Sequence, residues 1–294
     1  MEPEYGSWAA KNADCVARAD VDMGVKTFEL CWCIVCACQA FFFAIRYPQV
    51  SWEYVIVPSA QALTYGLGYS EVGYLQLADG RILSWTRPAL WLVTVPTILM
   101  QLNAIGPFKF LSIDVNSLQV AISLVMIVCG FSASVAKESA VKWMFFVFAT
   151  LCLVYIFIVT HRTLVNGIQR FQEAGSVKAQ RITTRLKLIY GLFFPSWGVY
   201  PLLYILSLEG ACVADESVIV VCYVLADAVA KNAFGIILWD TLWNQLGGVW
   251  EVPEDDEEQG LMEEGKSTVL SPPPNQTGQS MNPADDKELQ ADMV

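Results

Sequence analysis

The chain has 294 residues, 55% of them hydrophobic and only 16% charged, where soluble domains run near a quarter charged. Its net charge of −11 is local: residues 251–294 hold twelve acids and two lysines, while residues 1–250 balance 17 acids against 16 bases. An ordinary soluble domain is therefore excluded and, with no basic stripe, so is nucleic-acid binding.

Residues 1–24 read as an extracellular N-terminal segment without the basic start and apolar core of a signal peptide. Seven hydrophobic stretches follow, at about 25–46, 52–75, 84–106, 116–135, 141–165, 182–206 and 217–246. Each is close to the roughly 20 residues a helix needs to cross a bilayer core of about 30 Å. The first carries Cys31, Cys33, Cys36 and Cys38, whose spacing spreads them over different helix faces. Packing as small apolar groups is expected there, and no metal site. Pro58, Pro96, Pro195 and Pro201 fall inside stretches, which membrane helices tolerate because neighbouring helices re-satisfy the freed backbone groups.

The connection between the fifth and sixth stretches is expected to hold Arg162, Arg170, Lys178, Arg181, Arg185 and Lys187, which marks the cytoplasmic side. The outer segment 207–217 carries Glu209, Asp215 and Glu216 and no base. The N-terminus then lies outside and the C-terminus inside, in a multi-pass protein of the cell membrane. Short connections make residues 25–250 one seven-helix domain. The tail, 251–294, is acidic and Pro-rich, so a disordered cytoplasmic segment is expected; the acceptor-like triplet at Asn275 is a chance match. Cys15 and Cys212 both sit in polar segments on the oxidising face, and a disulfide between them is expected.

Ionisable residues inside a membrane are costly and mark function. Asp227 and Lys231 are four apart in the seventh stretch, hence on one helix face. The bland reading is an ion pair that only fastens helices. The functional reading is that a lysine in a dry pocket is readily held as the free amine, which condenses with an aldehyde, and Asp227 is placed as counterion. Trp197, Tyr200 and Tyr204 make one stripe on the sixth stretch, and Trp91 and Thr94 come from the third. Such a stripe serves a core equally well, but beside a buried Lys-Asp pair it would also hold a long flat polyene.

The segments Arg87 to Pro96, Trp197 to Glu209 and Asp227 to Lys231 resemble the microbial rhodopsins. More narrowly, Tyr5-Gly6-Ser7-Trp8, Cys38 to Phe42, Trp52-Glu53, Thr64 to Leu67, Gly210-Ala211-Cys212 and Lys231 to Trp239 look like the anion channelrhodopsins of cryptophyte algae. The resemblance covers about residues 5–250. It implies an all-α membrane bundle of seven helices, all-trans retinal bound as a Schiff base on Lys231, and a pocket of Trp91, Thr94, Trp197, Tyr200, Pro201 and Tyr204. It implies a constriction at Gln39, Gln61, Leu90 and Asn232, with Arg87 and Tyr65 on its outer side, and a homodimer. Two positions depart from the family, which commonly has a glutamate at Gln61 and a serine at Leu90.

Leu90 also stands where proton pumps keep the aspartate that accepts the Schiff-base proton, and Gln101 where they often keep a reprotonating acid. Neither can do that work. A cation path should be lined with carboxylates, yet Glu29, Glu53 and Asp227 are the membrane-core acids expected, against the amides and hydroxyls of Gln39, Gln61, Thr64, Tyr65, Thr94 and Asn232. The expected function is a light-gated channel for chloride and other small monovalent anions, not an enzyme. The polyene's isomerisation would push on helix 6 near Pro201 and hydrate the constriction. An inward chloride pump, a photosensory rhodopsin and a light-gated cation channel remain as alternatives.

Overall fold

The structure is a computed structural model that describes residues 22–46, 51–77, 82–103 and 113–241, with backbone alone at 82 and 113–116. All of them belong to the unit Met1–Trp250. The helices are α1 (Met23–Ala44), α2 (Glu53–Tyr69), α3 (Thr86–Asn103), α4 (Ile113–Val135), α5 (Ser139–Glu173), α6 (Val177–Leu206) and α7 (Glu216–Asp227). A π-helical segment, Ala228–Ala233, continues α7 into α8 (Phe234–Trp239), and the three together make the seventh rod. Between α2 and α3 a short hairpin pairs β1 (Tyr74–Gln76) antiparallel with β2 (Ile82–Ser84), Tyr74 opposite Ser84.

Each helix packs on the next, and α7 returns to α1, so the bundle closes. Its surface is inverted relative to a soluble protein. Phe41, Leu63 and Leu202 are 68%, 65% and 57% exposed, whereas Gln61, Thr94 and Gln119 are 0% exposed. Apolar residues outside and hydrogen-bonded polar residues inside are what a hydrocarbon solvent selects. Gln119 of α4 shows the interior rule: it accepts from Asn103 of α3 at 2.9 Å and donates to Thr160 of α5 at 3.0 Å.

Local signals set the ends. The Asp22 carboxylate caps α1 by accepting from the Gly24 amide at 2.6 Å, and Ser176 caps α6 by accepting from Ala179 at 3.1 Å. The Asp22 amide also donates to Ser217 at 3.0 Å, fastening α1 to the start of α7.

Five helical spans are long and apolar enough to cross a membrane by composition alone, among them Glu216–Trp239. The other two rods, α2 and α3, are short and carry Gln61, Thr64 and Tyr65, or Thr94 and Gln101, on their buried faces. Both line the polar interior.

One expectation is corrected. The basic residues between helices 5 and 6 are not in a loop. α5 runs 35 residues, roughly 50 Å at 1.5 Å per residue, and α6 runs 30, leaving Ala174, Gly175 and Ser176 as the connection. Arg162 and Arg170 lie on α5, and Lys178, Arg181, Arg185 and Lys187 on α6. Gly175 takes φ +64°, the left-handed turn that ends a helix.

Candidate functional site

Asp227 ends α7, and Lys231 sits in the π-helical turn that follows, 3% and 4% exposed. A π-turn adds a residue to the backbone loop and is frequent at functional sites. The Lys231 amine and the Tyr200 hydroxyl both donate to Oδ1 of Asp227, and Tyr65 donates to Oδ2 at 2.6 Å. Three helices thus converge on one carboxylate, and charge-assisted bonds of this kind are the strong ones.

Beside the amine lies a cavity of about 130 Å³. α3 contributes Trp91 and Val95, and α6 contributes Trp197, Tyr200, Pro201 and Tyr204. The far wall comes from α4 and α5, through Met126, Gly130, Phe146 and Leu153. Aromatic pairs stiffen it. Trp91 meets Tyr200 edge-on at 5.3 Å, Phe193 backs Trp197 at 4.6 Å, and Phe146 stacks on Tyr204 at 5.0 Å. An apolar slot ending at one buried amine fits a long apolar aldehyde. Thr94 is buried but is not on this wall; its hydroxyl donates back to the Leu90 carbonyl at 3.0 Å.

On the α8 side of Lys231, side chains of α1, α2 and the seventh rod meet. Gln61 Nε2 donates to Asn232 Oδ1 at 2.9 Å, and Asn232 Nδ2 donates to Gln39 Oε1 at 2.6 Å. Gln39 Nε2 returns to the Asn232 carbonyl at 3.4 Å. Leu90 is buried on α3 but is outside this hydrogen-bonded group. Tyr65 joins the carboxylate of Asp227 and not the amides.

Where α3 and α7 begin, Arg87 pairs with Glu216 at 3.1 Å and lies over the Tyr223 ring at 4.6 Å. This corrects one expectation. Glu216 is no loop acid but the first residue of α7, 6% exposed. Arg87 is therefore held in an ion pair. Glu29 is buried on α1, close against Gly68. Beside them in β1, burial pushes the Tyr74 hydroxyl up to about 12.

Of the other cysteines, Cys36 is buried and touches Asn232 at 3.5 Å, whereas Cys31 and Cys38 are exposed. Cys212, at φ +53°, is disulfide-bonded, and Cys15 lies outside the described residues.

The family model described as bacteriorhodopsin-like protein matches residues 27–245. This chain belongs to the bacteriorhodopsin-like family. It is 25% identical over 195 residues to Archaerhodopsin-2 of Halobacterium sp. (strain aus-2), covering 66% of this chain and 70% of that one. Its fold is that of the red light-activated channelrhodopsin Chrimson, at TM-score 0.66 and 20% identity over 77% of this chain and 80% of the other. It is also that of a light-driven proton pump, LR (Mac), from Leptosphaeria maculans, at TM-score 0.63 and 18% identity over 79% and 99%.

Bacteriorhodopsin-like proteins carry retinal as chromophore, and retinal is the cofactor of this rhodopsin. The slot and the Lys231 amine fit it. Two parts of the rhodopsin site were missed in the sequence. Met126, Gly130, Phe146 and Leu153 gave no signal, because an apolar residue facing a cavity reads like one facing lipid. Glu216 did give one: it precedes Asp227 by about three helical turns, on the same face.

Proposed function

We propose that this rhodopsin is a light-gated channel for small monovalent anions. The observation that carries the reading is chemical: Gln39, Gln61 and Asn232, which join three helices next to Lys231, are all neutral amides. Among the buried carboxylates, Asp227 is matched by Lys231 and two tyrosines and Glu216 by Arg87, and Glu29 lies about three helical turns along α1 from Gln39. A path for cations would present unmatched carboxylates at its narrowest place.

Retinal on Lys231 supplies absorption of visible light and a change of shape along the slot. Trp197, Tyr200 and Pro201 form the α6 wall that receives it. Pro201 has no amide hydrogen for the Trp197 carbonyl, so α6 yields there. Tyr200 links that wall to Asp227. Its displacement loosens the outer side of Lys231, while Asn232, next in the chain, moves the amide group on the inner side. Water enters, and anions pass down their gradient.

Whole-cell photocurrent at varied external chloride tests this. The reversal potential should follow the chloride equilibrium potential. A current of fixed direction would identify a pump, one tracking cations a cation channel, and none a sensor; each overturns the reading.

A further inference from the structure

A second cavity, of about 10 Å³, lies on the α8 side of Lys231 between Gln39, Tyr54, Gln61, Gln101 and Gly235. Three of these side chains are polar and sealed from outside: Gln61, Tyr54 and Gln101 are 0%, 5% and 6% exposed. Oε1 of Gln61, the Tyr54 hydroxyl and Nε2 of Gln101 make no hydrogen bond within the protein. Buried polar atoms are almost always satisfied, so three orphans around one chamber point to a ligand. The volume is that of a single water-sized sphere.

The hydrogen-bond chain fixes what the chamber presents. Gln61 spends its Nε2 on Asn232, and its Oε1 is left over. One acceptor with the Gln101 amide and the Tyr54 hydroxyl suits a water, which both donates and accepts. A carboxamide keeps its shape when turned half a revolution, with donor and acceptor exchanged. Turned together, the amides run from Gln39 to Asn232 to Gln61, and both amide–amide bonds survive. The bonds lost are the two longest, from Gln39 Nε2 to the Asn232 carbonyl at 3.4 Å and from Asn232 Nδ2 to Cys36 Sγ at 3.5 Å. Gln61 then offers N–H to the chamber. With Gln101 and Tyr54 it makes three donors beside Lys231 and no carboxylate, the set that replaces an anion's hydration shell.

We infer that this chamber is a binding site for one small monovalent anion, filled when illumination widens it and the Gln39–Asn232–Gln61 amide chain reverses. In the dark it holds one water. The site rests on the anion-channel reading for its role, but its occupancy is measurable without current.

Light-minus-dark infrared spectra of the retinal-reconstituted protein, recorded in chloride, bromide and gluconate, test it. A side-chain amide carbonyl band should differ between chloride and bromide and be absent in gluconate. It should vanish in Gln101→Leu and weaken in Tyr54→Phe, both checked for an intact visible band; Tyr54→Phe keeps the ring if Gln101→Leu fails to assemble. Chloride photocurrent in Gln101→Leu should fall about threefold, the worth of one neutral hydrogen bond, with its reversal potential unchanged. No halide-sensitive amide band in the native protein, or one that persists in both variants, overturns the site. A halide-sensitive band together with chloride-indifferent currents supports the site and defeats the channel reading instead.

Discussion

Asp227 and Lys231 hold each other in place with help from α2 and α6, and this makes their roles separable by substitution. Lys231→Ala removes the only buried amine at the slot among the described residues. The variant should be colourless with retinal supplied, and a retained visible band would show attachment elsewhere. Asp227→Asn keeps the side-chain shape but removes the charge facing Lys231. A unit charge at about 4 Å is worth about 4 kcal/mol at an effective dielectric near 20, so the visible band should move; an unmoved band would assign the counterion to another group. Gln61→Glu places a carboxyl in the amide group. Even a quarter of the same repulsion lowers anion passage about fivefold at 1.4 kcal/mol per decade. The current should be near normal at acid pH, where the carboxyl is neutral, and smaller where it ionises. A mutant current indifferent to pH would place Gln61 outside the path.

Elements matter where the chain must bend. Gly210 follows α6 in a turn so tight that a Cβ there would lie 2.1 Å from the Tyr204 carbonyl oxygen and 2.7 Å from that of Ile205. Those are backbone atoms at the end of α6 and cannot step aside cheaply. Gly210→Ala should therefore cost on the order of 1–3 kcal/mol, as overpacking does, read as a lower temperature of thermal bleaching. Wild-type bleaching would show that the turn relaxes. The proline positions in α2, α3 and α6 were plain from the residues alone. The π-helical turn at Ala228–Ala233 was not, since the Ala-Val-Ala-Lys-Asn-Ala run reads as ordinary helix. Only packing of Lys231 and Asn232 against other rods selects the wider turn.

For the whole molecule, the inverted surface makes the bilayer part of the fold, and the end where α1, α3 and α7 begin is fastened by polar ties that lipid does not weaken. Asp22 to Ser217, Ser134 to Glu209 at 2.6 Å and Arg87 to Glu216 are three of them. A bond from Cys15 to Cys212 would add the N-terminal segment to this set. Non-reducing peptide mapping should recover both cysteines in one cross-linked fragment from a single chain; finding both as free thiols would rule the bond out.

The sequence alone determined the seven apolar rods, the Asp227–Lys231 pair and the Trp197–Tyr200–Tyr204 stripe. Hydropathy, rarity of charge and helical spacing are properties of neighbouring residues on one strand of chain. Through resemblance to a family it also grouped Gln39, Gln61 and Asn232 with Leu90, which the structure leaves outside the hydrogen-bonded amides. Tertiary structure decided the rest. Which acid answers Arg87, which α4 and α5 side chains face the slot, and which side of Asp227 takes Tyr65 all depend on how separate helices rotate against one another. That rotation is fixed by packing and hydrogen bonds between residues far apart in the chain, in an interior where every polar group must find a partner.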